Sequence, residues 1–341
     1  MGWYGSARGS GWRVVILDVI GLIVALNVFA LFHHVLPVYL GNAKRHIVSV
    51  ESAKARSSSA TGVGTPTPVQ ASDPLKSSAS AVPAVQTTSA PGDFSQAFPA
   101  YDTGEGKYKS FQSGDVRISI DKLEKGGVTG YIADVWIRNI AYFMTGFAKG
   151  DYGRGLREMP LDMANEYSAT LAITGDYYGA REKGVVIRNG DLYRDSVNAD
   201  TCVLYADGVM EAYSKADFDL QAAVDRGAYQ AWSFGPKLLE DGQALDTFDS
   251  DIQGLNPRCA IGYYEPGHYC FVVIDGRQSG YSNGATMQQL SKLFESLGCK
   301  DAYNLDGGQS AMMVFQGEIV NQPYKGGRKT SDIIYIGGSA Q

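Results

Sequence analysis

The hydrophobic and polar positions in the C-terminal two thirds of the chain alternate in short segments that predict β-strands. Val116–Ile120 alternates apolar and polar side chains, as a strand with one buried face does. The turn residues Glu124–Gly127 separate it from the apolar segment Val128–Ile140, so the two segments predict a hairpin. A second hairpin is predicted where Cys259–Tyr264 and Tyr269–Ile274 flank a Pro-Gly turn. The other predicted strands are Ala169–Ile173, Gly184–Gly190 with its Asn-Gly turn, Cys202–Tyr205, Val209–Tyr213, Ala311–Phe315 and Asp332–Ile336.

Three segments have the pattern of short helices, namely Pro160–Tyr167, Ala216–Arg226 and Thr286–Leu297. The last of them has its apolar residues on one side, with Thr286 or Ser282 available to cap its start and Gly298 to end it. Many strands combined with two or three helices predict the α+β class, with a mixed or mainly antiparallel sheet.

The N-terminal part of the chain has a different composition. Val14–Leu40 is largely apolar and long enough to cross a bilayer, so we predict one transmembrane helix. A cleavable signal peptide is the alternative, but the apolar segment is longer than a typical signal core. Ser57–Gly92 is rich in Ser, Ala, Thr, Pro and Val and behaves as a disordered stalk. The predicted organisation is an anchor over 1–45, a linker over 46–106 and a folded domain over 107–341.

Charge and cysteine content narrow the partners and the compartment. The net charge is -6 with both signs interspersed, so no basic stripe is present for nucleic acid. Lysines and arginines after the apolar segment weakly favour an N-terminus outside the cell, but a stalk usually holds a domain away from a membrane. We therefore expect a single-pass protein of the cell membrane with an extracytoplasmic C-terminal domain.

The four cysteines are Cys202, Cys259, Cys270 and Cys299. In the predicted hairpin Cys270 lies opposite Tyr263, which leaves Cys259 too far along its strand for a disulfide with Cys270. Neither a C-x-x-C pair nor a Cys/His metal spacing is present, so free buried thiols are expected.

Polar residues flanked by glycine mark candidate chemistry at the ends of two predicted elements. Asn304–Ser310 reads Asn-Leu-Asp-Gly-Gly-Gln-Ser, in which the glycines let backbone N–H groups approach a ligand beside a carboxylate. Thr174–Gly179 places an aspartate and two tyrosines after a buried strand, a combination suited to acid or base chemistry next to a sugar. For each segment the alternative is a tight turn whose aspartate caps the backbone.

The order of such motifs resembles that of the phosphodiester glycosidase family, which includes uncovering-enzyme-like hydrolases and bacterial exopolysaccharide biosynthesis proteins. The motifs are Ile173–Tyr178, Gly184–Gly190, Ser233–Leu239, Asn256–Arg258, Ile274–Gly280 and Asn304–Ser310. The resemblance covers roughly 117–338. Two positions depart from the family pattern, since Thr174 stands where Asn is usual and Gln309 where a third Gly is common.

The resemblance implies hydrolysis of a sugar-1-phosphodiester in cell-surface or exopolysaccharide metabolism. Cleavage of the glycosyl C1–O bond needs a carboxylate near the anomeric carbon. We predict Asp306 and Asp176 as the catalytic carboxylates, and Asp275 as a third candidate or as an orienting partner for an arginine. The phosphate would be held by arginines and by the N–H groups of two glycines. The predicted substrate-binding residues are Arg258, Arg277, Asn304, Gly307, Gly308, Ser310, Tyr177 and Arg328.

Two questions stay open at this point. Three aspartates beside a phosphate also suit a divalent cation such as Ca²⁺ or Mg²⁺, so no cofactor is certain. The alternative function is a non-catalytic envelope module that binds phosphorylated glycan or assists polysaccharide assembly. Either function predicts a glycan or sugar-phosphate partner, and an active site requires Asp176, Arg258, Asp275, Arg277 and Asp306 to converge on one cavity.

Overall fold

The structure is a computed structural model that describes residues 19–20, 22–24, 26, 29, 44–49, 92–100 and 104–337. The chain divides into two units, Met1–Lys44 and Arg45–Gln341. Within the described residues, no helix has the length and apolar character needed to cross a bilayer. Most of the predicted span Val14–Leu40 and of the predicted stalk Ser57–Gly92 lies outside the described residues, so anchor and stalk stay predictions.

The second unit consists of many strands and a few short helices. In chain order the strands are β1 Arg45–His46, β2 Lys109–Gln112, β3 Val116–Lys125, β4 Val128–Ile137, β5 Phe143–Phe147, β6 Ala169–Thr174, β7 Gly184–Arg188, β8 Asp191–Ser196, β9 Thr201–Tyr205, β10 Met210–Tyr213, β11 Ala228–Trp232, β12 Leu239–Glu240, β13 Gln243–Ala244, β14 Arg258–Glu265, β15 His268–Ile274, β16 Asp301–Asn304, β17 Met313–Phe315, β18 Glu318–Ile319 and β19 Asp332–Gly337. The α-helices of this unit are α1 Pro160–Glu166, α2 Leu220–Asp225 and α3 Met287–Ser296.

The strands form three large sheets and one two-stranded ribbon, β12-β13. The sheet orders are β1-β8-β7-β11-β9-β10, β16-β14-β15-β4-β3-β2 and β18-β17-β6-β19-β5. Every strand pairing among the described residues is antiparallel. The predicted α+β class with a mainly antiparallel sheet is therefore confirmed.

Side chains from all three sheets meet in one central core, which includes Ile118 of β3, Trp232 of β11 and Ile334 of β19. Each sheet also packs a helix in a separate cluster: α3 with the sheet of β14 and β15, α1 with that of β6 and β19, and α2 with that of β9 and β11. One face of β14 and β15 lies in the central core and the other is covered by α3, which explains why both strands read as nearly continuous apolar runs.

Both ends of the predicted linker 46–106 differ from the prediction. Arg45 and His46 pair with β8, and Val48 packs against the central core. At the other end Phe94 is buried in that core, and its N–H donates to the carbonyl of Arg138 at 2.7 Å. Val48 and Phe94 flank the low-complexity segment 57–92, and the composition of that segment gave no indication that its neighbours join the folded unit.

Local signals set most element bounds, with two corrections. Helix α2 begins at Leu220 rather than Ala216, because the Asp219 side chain accepts the N–H of Ala222 and caps the helix there. Cys270 lies opposite Gly262 rather than Tyr263, because a bulge follows position 263 in β14. All four cysteines are free and buried, as predicted.

Candidate active site

A cavity of about 480 Å³ opens where β6, β11, β15 and β16 end and β14 begins. The loops that follow these strands supply most of its wall, and Gly-flanked turns let several of them approach one another. The wall contains Tyr177, Arg181, Phe234, Gly235, Ser250, Asp251, Ile252, Asn256, Pro257, Arg258, Arg277, Met287, Asn304, Leu305, Asp306, Gly307, Gly308, Gln309 and Arg328.

Positive charge dominates this wall, which carries four arginines and two carboxylates. The carboxylates belong to the buried Asp306 and to Asp251 on the exposed loop before β14. Sequence reasoning identified three of the arginines but missed Arg181 and Asp251, which stand outside the glycine-flanked positions of the motifs. A cavity with this balance of charge suits an anionic ligand.

Asp306 is the buried carboxylate of the wall. Its N–H donates to the carbonyl of Gly175 at 3.1 Å, which fixes the loop after β16 against the end of β6. Nη2 of Arg328 donates to both carboxylate oxygens, at 3.1 and 3.2 Å, and the Arg328 Nε donates to the hydroxyl of Ser310. Burial raises the pKa of Asp306, and Arg328 opposes that rise.

Arg258 lies at the start of β14 and is only 3% exposed. Its Nε donates to Ala285 O at 2.9 Å, its Nη1 to Ile252 O at 2.9 Å and its Nη2 to Gly254 O. No carboxylate is among the contacts described for this guanidinium. Burial and the nearby Arg277 lower its pKa from 12.5 to about 10. Arg258 is thus a buried cation held by neutral carbonyls.

Arg277 extends the cationic surface from the turn after β15. It has a left-handed backbone with φ of 58°, and its Nη2 donates to the side-chain oxygen of Asn256 at 2.6 Å. A Cβ built on Gly308 would lie 3.4 Å from the Arg277 Nη2, so this glycine keeps space beside the guanidinium. The N–H of Gly308 donates to Pro257 O at 2.8 Å, which corrects the expectation that it is free for a phosphate.

Asp176 is not among the residues of the described wall, but it lies near enough to Asp306 for its charge to raise the pKa of that carboxyl, so its catalytic role stays a prediction. It is fully buried, its Oδ2 accepts the N–H of Ser233 at 2.9 Å, and its Oδ1 accepts Nη2 of Arg181. With both oxygens engaged, Asp176 acts on the cavity through Arg181, whose guanidinium also lies 5.3 Å from the ring centre of Phe234. The hydrogen bonds from Arg181 and Ser233 hold the Asp176 carboxylate in this buried position.

Two charged residues behind the wall were missed from the sequence. Asp332 accepts the backbone N–H of Asp176 at 2.7 Å and Nε of Arg188 at 2.9 Å, and all three residues are buried. Burial raises the pKa of Asp332 to about 7, with Arg188 opposing the rise. The sequence did contain one indication of this pair: Arg188 ends the otherwise apolar segment Val-Val-Ile-Arg of β7.

Asp275 also lies outside the described cavity wall, so its catalytic role stays a prediction, and its contacts suit the alternative of an orienting residue. Its oxygens accept the hydroxyl of Tyr281 at 2.9 Å, the amide of Asn321 at 2.8 Å and the N–H of Gln322 at 2.9 Å. These bonds join the end of β15 to the loop after β18. Asp275 therefore fixes the backbone that carries Arg277 two residues later.

The remaining predicted residues are divided between the wall and its support. Tyr177, Asn304 and Gly307 line the cavity, although the Tyr177 ring already has Arg328 over one face at 4.7 Å. Ser310 is buried behind the wall, where its carbonyl accepts the Thr174 hydroxyl and ties β6 to the loop of Asp306. Gln309, which stands where the family often has a third glycine, donates from its side-chain amide to the carbonyl of Gly327 at 2.9 Å.

A divalent cation does not fit the donor set of this cavity. In the part of the chain that the structure describes, no group of three or more His, Cys, Asp or Glu side chains is placed to hold a metal ion. The two carboxylates of the wall are outnumbered by arginines, and Asp306 already binds one of them. The arrangement favours an anion over a metal.

Comparison with known proteins agrees with the motifs. The model of the phosphodiester glycosidase family matches residues 167–337, which is half of the chain and includes every residue named above for the cavity wall. The chain belongs to the phosphodiester glycosidase family. The matched segment includes Asp306 and all four arginines of the wall.

Individual relatives are more distant. The SPbeta prophage-derived uncharacterized protein YomE of Bacillus subtilis (strain 168) is 32% identical over 180 residues, which is 50% of this chain and 28% of that protein. The chain thus matches less than a third of that relative's length.

Two solved structures share the fold. The catalytic domain of zebrafish N-acetylglucosamine-1-phosphodiester alpha-N-acetylglucosaminidase, auto-inhibited by its pro-peptide, has a TM-score of 0.53 and 18% identity over 73% of this chain and 95% of that one. A hypothetical protein from Synechocystis has a TM-score of 0.52 and 12% identity over 67% of this chain and 63% of that one.

Proposed function

We propose that this phosphodiester glycosidase hydrolyses the glycosyl C1–O bond of a sugar-1-phosphodiester in the arginine-lined cavity. The observation that carries the proposal is Arg258, a buried guanidinium whose described partners are all neutral carbonyls. An arginine has more N–H donors than these three bonds use. An anionic group bound in the cavity supplies the missing negative charge, and a phosphodiester is such a group.

Phosphate binding explains the grouping of Arg258 and Arg277 on one side of the cavity. Guanidinium groups bind phosphate oxygens through paired, charge-assisted hydrogen bonds. These bonds strengthen as the C1–O bond breaks, because negative charge grows on the departing phosphate oxygens. A phosphate leaving group needs little protonation, so a general acid is not required on this side.

Asp306 supplies the carboxylate for the sugar side of the reaction. Positive charge develops on the ring oxygen and C1 in the transition state, and a buried carboxylate stabilises it. Arg328 donates to both oxygens of Asp306, which fixes the orientation of the carboxylate and opposes the rise in its pKa that burial causes. The same carboxylate can attack C1 or take a proton from water, and the anomer of the released sugar distinguishes these courses.

The test uses the purified chain with a panel of nucleoside diphosphate sugars as phosphodiester substrates. We expect release of free sugar, and a loss of at least about 100-fold in kcat/KM for Asp306→Asn. Asp121→Asn, on an exposed ion pair with Lys107, is the matched control and retains activity. Absence of turnover across the panel contradicts the proposed hydrolysis.

A binding module is the second candidate, and one observation favours it: of the three predicted catalytic aspartates, only Asp306 lies on the described wall. This candidate predicts that Asp306→Asn still binds the nucleotide sugar while Arg258→Gln does not, and that the wild-type chain releases no sugar. Measuring binding by calorimetry beside turnover separates the two functions.

We further propose that the reaction takes place outside the cytoplasm on cell-surface or exopolysaccharide glycans, with the chain anchored through Val14–Leu40. The support is the apolar length of this segment and the low-complexity composition that follows it. Membrane fractionation followed by protease treatment of intact cells tests the placement. Recovery of the chain in the soluble cytoplasmic fraction contradicts it.

A further inference from the structure

Asn304 contributes an unpaired hydrogen-bond acceptor to the cavity. The residue is only 3% exposed, its backbone N–H donates to Pro236 O at 3.1 Å, and its Nδ2 donates to Gly235 O at 2.7 Å. The second of these bonds fixes which end of the amide is oxygen. Its Oδ1 is buried and has no hydrogen-bond partner among the described residues.

A buried acceptor without a partner is costly, and native structures retain few of them. One at a cavity wall is explained when a ligand supplies the donor. A second unpaired atom occurs on the same wall, since Nε of Arg181 is buried and without a partner among the described residues. The cavity therefore offers one free acceptor and one free donor that the protein itself does not satisfy.

The side chains that carry these two atoms both contact the loop after β11. Asn304 binds Gly235, and Arg181 binds Ser233 O and lies over the ring of Phe234. Arg258 instead binds the loop that precedes β14 and the carbonyl of residue 285. Asp306, the carboxylate proposed to act at C1, follows Asn304 by two residues and lines the same cavity.

We propose that Asn304 determines sugar specificity, with its Oδ1 accepting a hydrogen bond from a hydroxyl or amide N–H on the sugar ring. This rests on the proposed function and names what the sugar must carry. A hydroxyl or an amide N–H on the sugar can supply the donor that Asn304 Oδ1 lacks. Sugars that lack the donor leave the acceptor buried and unpaired, so they are selected against.

The test is a thermodynamic cycle that combines removal of one sugar hydroxyl with substitution of Asn304. UDP-glucose, UDP-N-acetylglucosamine and the 2-, 3-, 4- and 6-deoxy analogues of UDP-glucose are compared with the wild-type chain and with Asn304→Ala. For the wild-type chain we expect one analogue to lose about 10- to 100-fold in kcat/KM relative to its parent. In Asn304→Ala the parent falls by a similar factor, and the same deoxy change costs little further, because the partner atom is gone.

Arg154→Gln, which alters an exposed arginine paired with Glu182, is the matched control and keeps the full deoxy penalty. If Asn304→Ala does not fold, the wild-type series still decides, since equal kcat/KM for every analogue overturns the proposal. A deoxy penalty that persists unchanged in a folded Asn304→Ala also overturns it. If no sugar is released, the same cycle is measured as dissociation constants, and turnover failure then counts only against the hydrolytic function. Absence of both turnover and binding contradicts both proposals.

Discussion

Replacing Arg258 by glutamine separates its role in holding a loop from its role in binding an anion. Glutamine keeps an amide that can reach some of the carbonyls now bound by the guanidinium, but it removes the charge. The structure predicts that these two roles differ in energy. Without an anion the buried charge lowers the unfolding free energy. With an anion bound, the same charge is the principal binding group.

The expected size follows from the burial of the guanidinium. Its pKa is lowered from 12.5 to about 10, which corresponds to about 3 kcal/mol against the charged form in the free protein. Arg258→Gln removes that cost but loses hydrogen bonds to carbonyls of Ile252, Gly254 or Ala285, each worth about 1 kcal/mol. The opposing terms leave a net change in the unfolding free energy of about 1–2 kcal/mol or less in phosphate-free buffer.

The assay is thermal unfolding of the purified chain as inorganic phosphate is titrated, with chloride at matched ionic strength. For wild type we expect the melting temperature to rise with phosphate. At a phosphate concentration one hundred times the dissociation constant, binding adds about 2.7 kcal/mol to the unfolding free energy. Arg258→Gln should lose most of this rise, and Arg154→Gln should keep it. If Arg258→Gln retains the full phosphate effect, Arg258 only holds the loop and the reasoning for the phosphate side is refuted.

Three further outcomes are expected. Asp332→Asn leaves the buried Arg188 with the carboxylate of Asp176 alone, 3.7 Å away, and should lower the urea unfolding free energy by about 1–3 kcal/mol, against less than about 1 for the exposed Asp121→Asn; similar losses would count against the buried pair. Burial raises the pKa of Asp301 to about 6, so the folded state disfavours the ionised form of this residue. Asp301→Asn should therefore be more stable than wild type above pH 6, by up to about 3 kcal/mol, and the difference should vanish near pH 4. A difference in stability that does not depend on pH would contradict this. Gly307→Ala puts a Cβ 2.6 Å from a backbone carbonyl oxygen, so kcat/KM should fall by about 10-fold or more, and unchanged kinetics would show that the loop has room to shift.

Local signals in the sequence were sufficient where the determining contacts are local. Helix α3 has a capping box in which Thr286 and Gln289 exchange hydrogen bonds, and its apolar residues pack on one face. The hairpin of β14 and β15 forms about its Pro-Gly turn as predicted. Both elements depend on residues a few positions apart, so spacing alone identifies them.

The Asp-Gly motifs were less informative, because identical local sequence serves different positions. Asp306 and Asp275 both precede a glycine at the end of a strand, yet Asp306 lines the cavity and Asp275 is bound to Asn321 and Gln322. The difference comes from a loop more than forty residues away in sequence. Asp332 was missed for the same reason, since its partner Arg188 is 144 positions away.

The charges around the cavity lead to one conclusion about its ligand. Arg328 and Arg181 are each paired with an aspartate, so their charges are balanced within the protein. The contacts described for Arg258 and Arg277 include no carboxylate, and one of these guanidinium groups is buried. A buried cation without a counter-charge costs free energy, and a bound anion removes that cost. In the proposed reaction Arg258 and Arg277 hold the negative group of the ligand, so Asp306, which Arg328 orients, is left to act on the sugar part.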